Sequence, residues 1–284
     1  MKKKYLLYGL LIIIMLISLC EINCLNDIKK FNSIDSIEQV QDFLQQATPK
    51  TLVIFDIDDT LIVPEEKIFY PLFKAVDDFD FSDTAFVKKL KEIYWQLAKS
   101  KEANVIFSKI KFIPVEQKTI VLIKELQNRN VKILALTNGS LCKFIGIEIM
   151  KKLRFSHMNQ VGLDFSSSFN IQELILENLP PLWGYSPIFY KGILYALGSP
   201  KGTVLMEFLN KIVFKPDKVI FFDDLIEQCS SVSSTMEKLG IQCLCFPYRA
   251  EPKVKIKLDQ KLVQKQFDYW TEHKKILPTE PNAN

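Results

Sequence analysis

Histidine is almost missing from this chain: 284 residues contain only His157 and His273, which argues against a histidine-rich zinc site. The six cysteines include no Cys-x-x-Cys pair, so a thiolate metal site has no anchor either. A Gly-x-Ser-x-Gly elbow is also absent, and with it the strand-turn-helix support for a serine nucleophile. Glycine (9) and proline (13) are few and charged residues make up 25%, so most of the chain does not have a disordered composition. The net charge of +4 comes from lysines scattered among acids. Without a basic stripe interleaved with aromatics, nothing argues for a nucleic-acid partner.

What the chain does have is apolar residues, 48% of the total, enough to bury a full core. Its length suits one medium domain with an insertion, or two small ones. Met1-Lys2-Lys3-Lys4 precedes an apolar run from Tyr5 to Cys20, interrupted only by Gly9 and Ser18. A positive start followed by such a run predicts an export signal over residues 1–24, and hence a periplasmic or extracellular protein. The run is somewhat shorter than the ~20 apolar residues of a membrane span. Retention as a signal-anchor, tethering the protein to a membrane, is the alternative, because Ser18-Leu19-Cys20 makes a poor cleavage site. Cys20 and Cys24 belong to this segment. Cys243 and Cys245, two apart on one face of an expected strand, are expected as small buried hydrophobes. A disulfide among Cys142, Cys229, Cys243 and Cys245 is the alternative in an oxidising compartment, with no pairing preferred.

Periodicity gives the order of elements. Ile37, Val40, Phe43 and Leu44 at helical spacing predict a helix over 33–46, with Asp35 and Glu38 as a capping pair. Four short, nearly continuous apolar runs read as strands buried on both faces: Thr51–Phe55, Val131–Leu136, Lys218–Phe222 and Ile241–Phe246. Helices are expected from Ser82 onward and over 118–129, 140–153, 203–213, 225–239 and 258–273, with a frayed tail over 277–284. The acidic cluster Asp77, Asp78, Asp80 and Asp83 is expected to be a solvated connector and helix cap. Residues 154–198 mix short apolar runs with Leu179-Pro180-Pro181, Gly184 and Pro187, and read as an irregular insertion. Strands alternating with helices predict a doubly wound, mostly parallel α/β sheet. Ligands in such sheets bind beyond the carboxyl ends of the strands.

Polar residues stand at those ends. Asp56-Ile57-Asp58-Asp59-Thr60 follows the first strand, Thr137-Asn138-Gly139 the second and Asp223-Asp224 the third. Ser199-Pro200-Lys201-Gly202-Thr203 lies between the second and third, with Lys201 just ahead of a helix. This is the set that phosphoryl transfer through a carboxylate requires. A carboxylate nucleophile splits one hard displacement into two easier ones. Clustered acids repel phosphate unless a cation intervenes, and Mg²⁺ needs only one or two carboxylates plus a phosphate oxygen. A hydroxyl, backbone N–H groups and a lysine neutralise the transferring group. Each signal has a plainer use: Thr137 as a turn residue, Asp223-Asp224 as a helix cap, Lys201 as a solvated lysine with Lys191-Gly192 as its rival. An EF-hand loop is disfavoured, since no bidentate Glu follows the aspartates and a buried strand precedes them.

The four signals in this order resemble the haloacid dehalogenase (HAD) superfamily, whose first motif is Asp-x-Asp-x-Thr/Val after a buried strand. TLVIFDIDDTL, VKILALTNG, GILYALGSPKG and KVIFFDDL carry the resemblance, which spans Phe31 to Arg249. Within the superfamily the chain looks like an uncharacterised bacterial phosphatase-like family. The resemblance implies a Rossmann-like catalytic domain over 31–275. It also implies a small, mostly helical cap from an insertion around 62–112 and the stretch 154–198. It implies Asp56 as nucleophile and Mg²⁺ ligand. Asp58 would be the general acid/base, with its backbone carbonyl on the metal. Thr137 and the backbone near Asn138 would hold the phosphoryl oxygens, and Lys201 would steady phosphate and nucleophile. Asp223 and Asp224 would complete the metal site, and Asp59 would stay out of it. A threonine at position 60 is common among the phosphatases of the superfamily. The expected activity is Mg²⁺-dependent hydrolysis of a small phosphomonoester through an aspartyl-phosphate. An inactive, membrane-tethered interaction module on the same fold, or phosphoryl transfer to an acceptor other than water, are the alternatives. The aromatics Phe69, Tyr70, Tyr94, Trp95, Trp183, Tyr185 and Tyr190 are expected mainly in packing.

Overall fold

Four of the apolar runs form the parallel strands they predict. The computed structural model describes residues 33–66, 69, 88, 91–92, 103–250 and 260–273. The expected export segment, the acidic cluster Asp77 to Asp83, Tyr70, Tyr94, Trp95 and the 277–284 tail lie outside the described residues. In chain order the strands are β1 (Thr51–Phe55), β2 (Ile62–Pro64), β3 (Phe112–Pro114), β4 (Lys132–Thr137), β5 (Glu173–Ile175), β6 (Ile188–Tyr190), β7 (Ile193–Tyr195), β8 (Lys218–Asp223) and β9 (Gln242–Pro247). The helices are α1 (Gln41–Gln45), α2 (Ala103–Lys109), α3 (Gln117–Asn128), α4 (Cys142–Ile145), α5 (Ile147–Gln160), α6 (Lys201–Lys211), α7 (Ile226–Lys238) and α8 (Gln260–His273).

The central sheet has seven strands in the order β5-β6-β7-β4-β1-β8-β9. Strands β7, β4, β1, β8 and β9 run parallel, and β5 and β6 add an antiparallel edge. The pleat sends alternate residues to opposite faces. Val53, Phe55, Ile133, Ala135, Ile220 and Phe222 join one core, with Ile120, Ile123 and Leu126 of α3 and Met150 and Met158 of α5. Leu52, Ile54, Leu134, Leu136, Val219 and Phe221 join the other, with Val204, Leu205 and Phe208 of α6 and Val232 and Met236 of α7. Helices therefore cover both faces of a mostly parallel sheet, a doubly wound α/β architecture of Rossmann-like form. Each fully buried aliphatic or aromatic side chain contributes about 1.5–3 kcal/mol, and β1 is buried along its whole length.

Helix α6 packs against α7 so closely that a Cβ on Gly202 would lie 2.1 Å from the Ser231 carbonyl oxygen. Only glycine fits there, and Lys201 is its neighbour, so this contact fixes where the lysine starts.

Several boundaries differ from expectation. The 33–46 segment is a 3₁₀ turn over Ile37–Val40 followed by the short α1, and the capping box is Ser36 with Gln39 rather than Asp35 with Glu38. The expected 140–153 helix is two helices split at Gly146, whose φ 77 and ψ 156 lie in a region open essentially to glycine. Lys201 is the first residue of α6 rather than a residue ahead of it. Within 154–198 the first part continues α5, and the later part supplies β5, β6 and β7, of which β7 pairs with β4, with irregular backbone over 161–172 and 176–187. Those three-residue strands are too short for a two-residue period to stand out. Among the described residues of 62–112, β2 opens an antiparallel pair with β3, and α2 precedes β3. Lys88 and Glu92 are helical and exposed, and Lys91 is helical and half-buried. Cys142, Cys229, Cys243 and Cys245 are all free thiols, and the Cys243 and Cys245 sulfurs lie 3.4 Å apart. Among the described residues no helix is long and apolar enough to cross a membrane.

Candidate active site

Three neighbouring parallel strands deliver the polar residues to one place. Strand β1 lies between β4 and β8, with Phe55 opposite both Ala135 and Phe222. Asp56 leaves β1, its N–H donating to the Phe222 carbonyl at 2.8 Å. Thr137 and Asp223 are the last residues of β4 and β8, within the strands rather than after them. The two chain crossovers out of the centre run to opposite sides of β1, which opens a crevice beyond the strand ends.

Lys201 enters this crevice from α6 on one face of the sheet. It is 4% exposed. Its Nζ donates to Asp223 Oδ2 at 2.7 Å and also to Asp56 Oδ1. A lysine at this depth is stable only with charged partners. Burial works against its charge, yet Asp223 and Asp56 outweigh burial and hold the ammonium above its ordinary value. Lys191, the rival, sits at φ 46 in the β6–β7 turn with its Nζ 4.7 Å from the Phe155 ring. It stands at the amino end of β7, the wrong end of the sheet for the crevice.

Asp56, Asp223 and Asp224 each present an oxygen within 4.8 Å of the other two. Burial is the main force raising all three carboxyls above their ordinary range, and repulsion between them adds to it at Asp56 and Asp224. One ammonium does not neutralise two buried carboxylates and a half-buried third, so the donor set fits a hard, oxygen-seeking cation. The Asp223 carboxylate also accepts from the Leu225 N–H at 3.0 Å, and the Thr60 hydroxyl accepts from the Asp224 N–H at 3.1 Å. Thr60, fully buried, thus ties the loop after β1 to the end of β8.

The loop from Asp56 to Thr60 turns sharply. Asp59 sits at φ 65, where residues other than glycine are uncommon, and its N–H donates to the Ile62 carbonyl at 3.0 Å. Asp59 is buried and its charge bears on Asp224, a closer involvement than expected for it. Asn138 is exposed and its side chain accepts from the Gly198 N–H at 2.6 Å. The Thr137 and Asn138 carbonyls accept from the Ala196 and Leu197 N–H groups, both at 2.8 Å. The 137–138 turn is therefore clamped to the segment leading to α6. A cavity of about 280 Å³ opens beside it, lined by Asn138, Gly198, Ser199, Lys201, Glu227 and Ser231.

Asp58 does not join the aspartate triad through its side chain. It turns to Arg154, which donates from Nη2 to Asp58 Oδ1. Arg154 comes from α5, on the face of the sheet opposite α6, and its guanidinium carbon stands 5.3 Å from the centre of the Phe112 ring. Nothing in the motifs pointed to Arg154. The available signal was its place on α5, four residues from both Met150 and Met158, which share a buried face.

One turn further on, His157 packs against the Phe112 ring at 4.6 Å between centroids. Burial pushes its imidazole down to about 3, the Arg154 charge adds to this, and the Phe107 carbonyl opposes it. The unfolded residue titrates near 6.5. Between those values the unfolded chain binds more protons, so stability contributed by neutral His157 is present above 6.5 and lost as pH falls towards 3. Between pH 7.5 and 5.0, wild type should lose about 2 kcal/mol more unfolding free energy than His157→Leu, by the linkage slope of ~1.4 kcal/mol per unit. Urea titrations at the two pH values check this; equal losses in both proteins would contradict it.

The relatives carry no stated activity. An uncharacterised protein of Rickettsia prowazekii is 25% identical over 214 residues, 74% of this chain and 73% of its own length. One from Rickettsia bellii is 22% identical over 266 residues, covering 87% and 83%. One from Rickettsia felis is 26% identical over 133 residues, less than half of either chain. No solved structure matches the chain. The family model described as a protein of unknown function, DUF2608, matches residues 33–282, and the chain belongs to that family.

Proposed function

We propose that this protein is a Mg²⁺-dependent phosphohydrolase of the haloacid dehalogenase type, acting outside the cytoplasm on a small phosphomonoester. The observation that carries the reading is the contact of buried Lys201 with both Asp56 and Asp223 at the ends of adjacent strands. A structural ion pair needs only one carboxylate. Here a lysine, a further acid at Asp224 and a threonine at the end of β4 gather where an α/β sheet binds its ligands.

Asp56, Asp223 and Asp224 would hold Mg²⁺, which neutralises their charge and that of the phosphate. An Asp56 oxygen attacks phosphorus, and the bond to the leaving oxygen breaks as that oxygen takes a proton from Asp58. Water then attacks the aspartyl-phosphate, giving its proton back to Asp58 and releasing phosphate and the Asp56 carboxylate. Lys201 holds charge on the phosphoryl oxygens, with Thr137 and the Asn138 backbone at the strand end beside it. Residues 62–112 would supply the cap over this crevice. Export through the apolar N-terminal segment is part of the same reading.

The test is phosphate release from a generic aryl phosphate by purified protein, with Mg²⁺ and with chelator, run beside Asp56→Asn. Release that needs Mg²⁺ and Asp56 supports the reading. Release that is absent, or that is equal in the two proteins, overturns it.

A further inference from the structure

Arg154 is the charged group that the reaction as described leaves without a task. Its side chain is 3% exposed, whereas that of its partner Asp58 is 32% exposed. Burying a guanidinium costs several kcal/mol unless charge and hydrogen bonds repay it, and α5 holds this one against the Phe112 ring. The position is informative on the phosphohydrolase reading, on which the inference rests. Asp58 hands its proton to the leaving oxygen, so the leaving part of the substrate lies against Asp58. A cation touching Asp58 therefore adjoins, beneath Asp58, the part of the substrate that departs. Around it stand the acids Asp56, Asp58 and Asp59 on the β1 loop and Asp223 and Asp224 across from them, and Lys201 is already engaged by Asp56 and Asp223, so a negatively charged leaving group would meet more acid than base there.

We propose that Arg154 is a specificity residue: it binds an anionic oxygen group, carboxylate or phosphate, on the leaving part of the substrate. The geometry gives the exchange a mechanism. One arm of the guanidinium, Nη2, meets Asp58, and the planar fork to which it belongs matches either kind of anion. When the substrate anion takes the guanidinium, the ion pair opens and Asp58 becomes available for proton transfer. A leaving group without an anion leaves Asp58 paired. The preferred substrate is thus a phosphomonoester carrying a second negative group.

Three probes of one carbon length separate the sources: 3-hydroxypropyl phosphate, 3-phosphonooxypropanoate and propane-1,3-diyl bisphosphate. Wild type should show kcat/KM at least about 10-fold higher for one of the two anionic probes than for the hydroxyl probe, through a lower KM from the contact and a higher kcat from the freed Asp58, the scale of one charge-assisted contact. Which anionic probe is preferred names the group. In Arg154→Gln this ratio should fall to near one, while Arg154→Lys, which keeps charge without the fork, should retain only part of it. A residue that merely positions Asp58 would instead lower kcat for all three probes and leave the ratio alone. A wild-type ratio near one, or a ratio that survives in the variants, overturns the proposal. If Arg154→Gln does not fold, as thermal unfolding would reveal, the ratio in Arg154→Lys decides. Asp56-dependent turnover of the hydroxyl probe without anion preference removes this proposal alone. Absence of Asp56-dependent turnover of every probe removes the phosphohydrolase reading and this proposal with it.

Discussion

Asp56→Asn should lower Mg²⁺-dependent phosphate release at least about 1,000-fold, an increase of ~4 kcal/mol in the barrier. The amide keeps the shape of the side chain but is a poor nucleophile at phosphorus and carries no charge for the cation. The loss should be in kcat, because Lys201, Thr137 and the two remaining acids still stand around the phosphate. Folding should survive the change. Burial already raises the Asp56 carboxyl above its ordinary range, so a neutral group of the same size relieves repulsion from Asp223 and Asp58 while its amide oxygen can still accept from Lys201 without the charge of the ion pair. Steady-state kinetics beside urea unfolding separate the effects. A variant that folds and retains a tenth of the activity would exclude Asp56 as nucleophile.

Lys201→Met should cost about 3 kcal/mol of stability in the absence of Mg²⁺ and reduce activity by two orders of magnitude or more. Removing the ammonium leaves Asp56 and Asp223 facing one another in a buried site. Breaking such a pair costs ~3–5 kcal/mol, and the lower figure applies because the acids, already raised by burial, can take up a proton in relief. Methionine fills the space of the stem, so packing changes little. Added Mg²⁺ should restore part of the lost stability and little of the activity, since the cation replaces charge but not the hydrogen bond to the phosphoryl oxygens. Urea unfolding with and without Mg²⁺ checks this. Wild-type stability in Lys201→Met would contradict the role of the lysine as the neutralising group.

The parts of the molecule that were legible from sequence share one physical property, burial on both sides. Thr51–Phe55 and Lys218–Phe222 are nearly continuous apolar runs because helices cover both faces of the sheet, and a run of that kind has few other uses. Their ends were legible for the same reason: a carboxylate directly after a buried run, as at Asp56, has to stand at the sheet's edge. What was hidden depended on contacts between segments distant in sequence. Lys151 and Arg154 look like surface charges on a helix that also carries Lys152. Yet Lys151 is buried against Glu148 and Glu173, and Arg154 against Asp58, ninety-six residues away. The Met150 and Met158 spacing marks the inward face of α5, but a motif search looks along the chain and not around a helix. Strands β5 to β7 were hidden by their shortness, and Gly146 by the lack of any local cue that its backbone leaves the helical region.

The most direct measurement of the central claim, that Asp56 accepts a phosphoryl group, is capture of beryllium fluoride, which mimics that group on a carboxylate. Fluorine NMR of the purified protein should show a bound signal that requires Mg²⁺ and is absent from Asp56→Asn. A bound signal that persists in Asp56→Asn, or none in wild type with Mg²⁺ present, would contradict it.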